Sequence, residues 1–325
     1  MLPRPPQKLG VGINYHWDFQ DLIRNNLNVI DYIEVSPDIF CEEIITENQR
    51  RFRLDKRKLN DALALGNLCP VVVHGLGLSI GSASGWNSDY LTVLDQYAQQ
   101  QCFAWHSEHL GFTLVKNQDG SEDHAGLLLP MPFTQDALDL LCPRIQQLCI
   151  RYAVPFLLEN TTYYLPALTD TYKNGREWDE IDFLNKIVTR TDCGLLLDLY
   201  NFYCNAVNFG FDPYSALVRL RLDRVIEIHV AGGIMHEDFL LDVHSSEVPD
   251  AVWELLEWIL SKVPNLCAIT YEVLEQALPL MGEEKIVAQL QRCKTLWNQY
   301  VEKSFESQVR EKEFNTLEDN NNVAA

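Results

Sequence analysis

What most constrains the fold of this 325-residue chain is a recurring alternation of short apolar runs with helical stretches. The runs are Leu9–Tyr15, Tyr32–Ser36, Pro70–Gly75, Phe103–Leu110, Pro155–Asn160, Gly194–Asn201, Val225–Val230 and Cys267–Val273. Several, such as PVVVHG at Pro70–Gly75, are continuously apolar and β-branched, the pattern of strands buried on both faces. Between them, apolar residues recur at helical spacing. Leu91, Leu94 and Ala98 do so in Asn87–Gln101, and Leu138, Leu141, Ile145, Leu148 and Tyr152 in Thr134–Tyr152. Pro143 is expected to kink or split the second of these. Asp18 can cap a short helix, Asp182–Arg190 is helical, and Asp250 is expected to cap a helix carrying Val252, Leu255, Leu256, Ile259, Leu260 and Val263. A last helix is predicted over Glu284–Lys303. Eight strands alternating with helices predict an α/β fold, a (β/α)8 TIM-like barrel, rather than a doubly wound open sheet, for which no GxGxxG or P-loop is present. One barrel domain is expected over residues 1–303. The charged, Asn-rich Ser304–Ala325 reads as a disordered tail.

Composition narrows the function. The net charge of −20 and a pI near 4.7 disfavour a nucleic-acid partner, which calls for a basic footprint. The basic run Arg50–Lys58 reads as a solvated helix face. No uncharged apolar run approaches the ~18 residues of a membrane span, and MLPRPPQKLG has no apolar signal segment. Nine scattered cysteines, never CxxC, argue against a disulfide framework or a zinc ribbon. A cytoplasmic protein with no membrane contact is expected.

Chemistry gathers at one end of each strand. Glu34, His74, His109, Glu159, Asp198, His229 and Glu272 close successive apolar runs, and Asp242 and His244 follow just beyond the seventh. In a (β/α)8 barrel these ends converge on one mouth, where active sites are built. Taken singly, His229 or the Asp242-Val-His244 turn would read as a buried histidine and a solvated turn. Six consecutive strands breaking their pattern at the same end read as a metal site at the C-terminal mouth. Four histidines and four carboxylates (His74, His109, His229, His244, Glu159, Asp198, Asp242, Glu272) exceed the four to six ligands of one ion. Two or three carboxylate-bridged ions fit better, of iron, manganese or zinc. Residue types and spacing go no further.

The motifs HGLGLSIGSA (74–83), SEHLGF (107–112), LLPMPFT (128–134), LLENTTYY (157–164), CGLLLDLYNFYCNAVNFGFDP (193–213), EIHVAGG (227–233) and DVHSSEVPDAVW (242–253) stand in this order. With the strand ending in Glu272, they resemble the multinuclear non-haem iron-dependent oxidases over roughly residues 10 to 295. The resemblance implies a TIM barrel holding two or three irons, in mixed Fe(II)/Fe(III) states, with O2 as co-substrate. It implies oxidative modification of cysteine in a ribosomally made precursor peptide, in some members with a small partner protein that presents the peptide. Carried over by residue, it makes His74, His109 and Glu159 ligands of one iron, with Glu159 bridging to a second. Asp198, His229, Asp242, His244 and Glu272 would hold the remaining iron or irons, and His229, Asp242 and His244 would form the catalytic part of the site. Asn160 and Asn201 become ligand-orienting or cofactor-binding amides. Family members often carry histidines where this chain has Gly233 and Ser246, a departure that bears on peptide contacts. His16 and Glu34 are candidates for contacting a ligand or the substrate, and His124 and His236 read as loop residues. The competing readings are a polynuclear-metal hydrolase or isomerase of the endonuclease or sugar-isomerase kind, and a metal-binding scaffold without catalysis.

Overall fold

The structure is a computed structural model that describes residues 6–46, 49–116, 122–164 and 178–302. Its centre is a closed barrel of eight parallel strands. They are β1 (Gly10–Asn14), β2 (Tyr32–Val35), β3 (Val71–Gly75), β4 (His106–His109), β5 (Phe156–Glu159), β6 (Gly194–Asp198), β7 (Val225–Val230) and β8 (Ala268–Tyr271). Each strand pairs with its sequence neighbour, and β8 closes on β1 through Gly10↔Ala268 to Ile13↔Tyr271. The expected (β/α)8 barrel is therefore the fold.

Side chains alternate across each strand, so the barrel has two apolar compartments. Outward residues such as Val73, Leu158, Leu197, Ile228 and Ile269 pack with the surrounding helices in one large core. Inward residues Tyr32, Val72, Trp105, Leu157, Leu196, Ile226, Cys267 and Ala268 fill the lower barrel as a second cluster. Ile226 is the extra residue where the register of β6 against β7 shifts between Leu195 and Leu196. That shift keeps both Glu227 and His229 turned inward.

The helices start where the sequence supplies caps. Asn87, Thr134 and Asp179 each accept a backbone N–H at the start of Ser88–Ala98, Gln135–Arg151 and Glu180–Thr191. Asp250 differs: it is the first residue of Asp250–Leu260, and no side chain caps that helix. Pro143 does not split its helix, which runs unbroken over Gln135–Arg151. The prolyl ring lies on the exposed face, so the Asp139 carbonyl that loses its donor can be hydrated. The opposite face, from Leu138 to Leu148, is buried in the outer core.

Three antiparallel hairpins extend the βα connections: Cys41–Thr46 with Gln49–Leu54, Gly111–Lys116 with Glu122–Pro130, and Ile234–His236 with Phe239–Leu241. The first corrects the reading of Arg50–Lys58. Its front half is strand, with Glu42 opposite Arg53 and their side chains 2.6 Å apart, and only Lys56–Gly66 is helix. His124 and His236 lie on hairpin strands rather than in loops. The predicted last helix ends as α-helix at Trp297 and continues as one π turn to Glu302. No helix of the described residues is long and apolar enough to cross a membrane. Residues 304–325, read as a tail, lie outside the described residues.

Candidate metal centre

The inward positions at the strand tips bring six of the eight expected ligands into overlapping groups, while His244 lies near Glu272 and Asp242 lies against His244. In the first group, His74 Nε2 and His109 Nε2 lie 3.3 and 3.1 Å from the same oxygen, Glu159 Oε2, with their rings 4.4 Å apart. Hydrogen bonds fix both tautomers. Ser107 Oγ donates to the Val73 carbonyl, so it accepts from His74 Nδ1 at 2.9 Å. His109 Nδ1 donates to the Gly75 carbonyl at 2.8 Å. Each Nε2 therefore turns a lone pair toward a carboxylate, and burial holds His109 neutral, its pKa pushed down to about 3. Two lone pairs and a carboxylate oxygen facing one point repel each other unless a proton or a metal cation lies between them. His74 Nε2 and Glu159 Oε2 are buried without a hydrogen-bond partner.

The second group shares Glu159. Around His229 Nδ1 lie Glu272 Oε2 at 3.1 Å, and Asp198 Oδ2 and Glu159 Oε1 each at 3.9 Å. The strand-to-helix turn positions Asp198. Its Oδ1 caps Leu199–Phe209 by accepting the Asn201 N–H at 2.6 Å, which leaves Oδ2 buried and unpartnered beside His229. Burial raises the pKa of Glu159 and Asp198 well above the carboxylate range, and neighbouring carboxylates add to it. Burial opposes charge on His229, yet Glu34, Glu227 and Glu272 outweigh it and raise the imidazole well above its ordinary value. Protons on this belt occupy the place that a divalent ion would take.

Asp242 and His244 form a third group, with His244 Nε2 2.6 Å from Asp242 Oδ1 and Nδ1 3.6 Å from Glu272 Oε1. Burial again opposes charge, but Asp242 and Glu272 lift His244 to about 10. His244 has a left-handed backbone, φ 46°, costly for a residue with a Cβ. The conformation is held at both sides: Leu274 N–H donates to the His244 carbonyl, and Ser245 N–H to the Gly232 carbonyl. The Asp242 N–H donates to the Tyr164 hydroxyl at 2.9 Å.

The two expected amides sit at different depths. Asn160 bridges strand ends, its Nδ2 donating to the Asp198 carbonyl and its Oδ1 accepting the Asp198 N–H. Asn201 Nδ2 reaches Glu159 Oε1 at 3.4 Å. Glu34 lies against His229 Nε2 at 2.9 Å, whereas His16 turns away to Asp18 and Glu275. The hydroxyl of Ser246 donates to the Gly233 carbonyl, so the two departing positions touch.

The residue reading missed the polar layer beneath the ligands. Buried Glu227 accepts Trp105 Nε1 at 2.7 Å, Thr270 Oγ1 at 2.7 Å and Tyr32 Oη at 3.2 Å. A signal existed: Ser107, Glu227 and Thr270 each stand two residues before an inward ligand, on the same pleat face.

An eight-stranded parallel barrel with histidines and carboxylates converging at its C-terminal mouth defines a class, barrels with metal-capable side chains gathered in the mouth. Within it, the profile of the family described as "RiPP precursor modification enzyme MbnB/TglH/ChrH" matches residues 10–296, and the chain belongs to that family. Its relatives include a UPF0276 protein of Caulobacter vibrioides, 38% identical over 216 residues, 66% of this chain and 72% of that protein. A UPF0276 protein of Haemophilus influenzae is 31% identical over 284 residues, covering 79% of this chain and 84% of its own length. Among solved structures, endonuclease IV from Thermus thermophilus superposes with a TM-score of 0.51 at 14% identity, over 89% of this chain and 99% of that one. The IOLI protein with a bound zinc atom gives 0.50 at 11% identity, over 90% and 99%. At such identities the likeness is one of fold.

Proposed function

We propose that this protein is a multinuclear non-haem iron oxidase that uses O2 to modify a cysteine in a ribosomally made precursor peptide. The observation that carries the reading is the sharing of Glu159. One carboxylate serves the His74–His109 group through Oε2 and faces His229 through Oε1. A bridge of that kind suits adjacent ions, and the lack of cysteine among the ligands suits iron or manganese better than structural zinc. Family membership supports the precursor-peptide substrate.

In this reading His74, His109 and Glu159 hold one iron, and Glu159, Asp198, His229 and Glu272 a second. Asp242, His244 and Glu272 supply a third position. Bound iron in mixed Fe(II)/Fe(III) states would supply a coordination position for the substrate thiolate and the electrons that O2 requires. The protein's own part is positional. Ser107 and the Gly75 carbonyl keep the two Nε2 lone pairs aimed inward, and Asn201 restrains Glu159. The Asp242–His244 loop is pinned at its backbone to the segments that follow β7 and β8, through Gly232 and Leu274. A small partner protein presenting that peptide is consistent with the family. The hydrolase reading draws on the endonuclease fold alone, and a chain of net charge −20 is poorly suited to nucleic acid.

Elemental analysis of protein purified without oxygen tests the metal. The expected result is about two to three irons per chain, following the ligand count. Full zinc occupancy with oxidase activity retained would overturn the iron assignment.

A further inference from the structure

Beneath the mouth, Glu34, Glu227 and His229 bring ligating atoms within reach of one another, a triple that could itself hold a cation. The hydrogen bonds decide against it. Glu227 Oε1 already accepts Thr270 and Tyr32, and Oε2 accepts Trp105 Nε1, so both oxygens are occupied by donors. Glu34 has a different role: its Oε2 meets His229 Nε2 at 2.9 Å, and the carboxylate is buried.

We propose that Glu34 is a positioning residue for the metal centre. By accepting the Nε2–H of His229 it selects the tautomer whose lone pair lies on Nδ1. It also turns that nitrogen toward Glu159, Asp198 and Glu272. Glu227, 3.7 Å from the same Nε2 and locked by its three donors, closes the other side. His74 and His109 are oriented by neutral acceptors, Ser107 and the Gly75 carbonyl. Of the three imidazoles carried on barrel strands, one is therefore backed by an anion and two are not. An anionic acceptor makes an imidazole the stronger donor, and losing such a partner costs about 10–100-fold in metal affinity. The ion beside His229 depends on Glu34, and the ion between His74 and His109 does not.

The inference rests on the centre being a metal site and needs no peptide to test. Fe(II) is titrated anaerobically into metal-free wild type, Glu34→Gln and Glu34→Asp, with Mössbauer spectra of the loaded proteins and melting temperatures of the metal-free ones. The expected result for Glu34→Gln is one ion bound about 10–100-fold more weakly, with an altered subspectrum for that ion alone. The other ions and the metal-free melting temperature should be unchanged. Glu34→Asp, which keeps the anion, should recover part of the affinity. Wild-type affinity for every ion in Glu34→Gln would overturn the role of Glu34, as would equal weakening of all ions. A wild type that takes up no iron would overturn the metal reading and this inference together. Full iron without peptide chemistry would overturn only the proposed reaction.

Discussion

Single residues differ in how many ions they serve. Glu159 faces two groups of ligands, so Glu159→Ala should lose more than one equivalent of iron, whereas His109→Ala should lose one; elemental analysis of both reads the difference. His244 belongs to one loop with Asp242, outside the strands that close the barrel. His244→Ala should keep the fold and part of the iron but abolish peptide-dependent O2 uptake, measured with an oxygen electrode.

A second buried pair, outside the barrel wall, gives a pH test. His106 Nε2 lies 2.8 Å from Glu108 Oε1; burial pushes the histidine down to about 3 and the carboxyl well above its ordinary value. The low histidine pKa contributes stability that is present above about pH 6.5 and lost as pH falls toward 3, because the unfolded chain takes up a proton that the folded His106 refuses. The raised carboxyl works the other way: its contribution is present below about pH 4.5 and lost as pH rises, because the folded Glu108 holds a proton that the unfolded chain gives up. Glu108→Gln removes only the second contribution, so its urea midpoint should gain on wild type as pH rises above about 4.5. Parallel curves would contradict this assignment.

At the scale of elements, what was legible in the sequence is what period and composition encode locally. The eight strands were legible because each is buried on both faces and so stays apolar through its length, as Val71–Val73 and Leu195–Leu197 do. Their polar tips were legible because each breaks such a run. The hairpins were not. Arg53 reads as one more residue of a basic helix until Glu42, eleven positions earlier, is seen across from it, and a window along the chain does not contain that pairing. The helix over Leu199–Phe209 was hidden for a related reason: β6 runs into it without a break, Asp198 ending one and capping the other. The polar layer around Glu227 is assembled from β2, β4, β7 and β8, and no single strand announces it. Packing at β3 offers a test. A Cβ at Gly75 would fall on the Tyr90 hydroxyl and lie 2.5 Å from Glu108 Oε1, both buried. Gly75→Ala should destabilise the fold by about 1–3 kcal/mol, the usual cost of overpacking, as read by urea unfolding.

For the whole molecule, the barrel closes a polar mouth over an apolar floor, and the chain belongs to the family described as RiPP precursor modification enzymes. The sequence beyond Lys303 carries no apolar face to dock, so truncation there should leave the melting temperature nearly unchanged. A loss of several degrees would show that it packs on the barrel. In the proposed reaction, iron in this mouth, O2 and a substrate cysteine act together. The direct measurement mixes anaerobically prepared, iron-loaded protein with cysteine-bearing peptides and their serine counterparts, admits O2, and follows oxygen uptake with peptide mass. The expected result is a mass change on cysteine that requires both iron and O2 and is absent from the serine peptides, since an alcohol gives up its proton to a metal far less readily than a thiol. An equal reaction without O2, or one on serine, would contradict it.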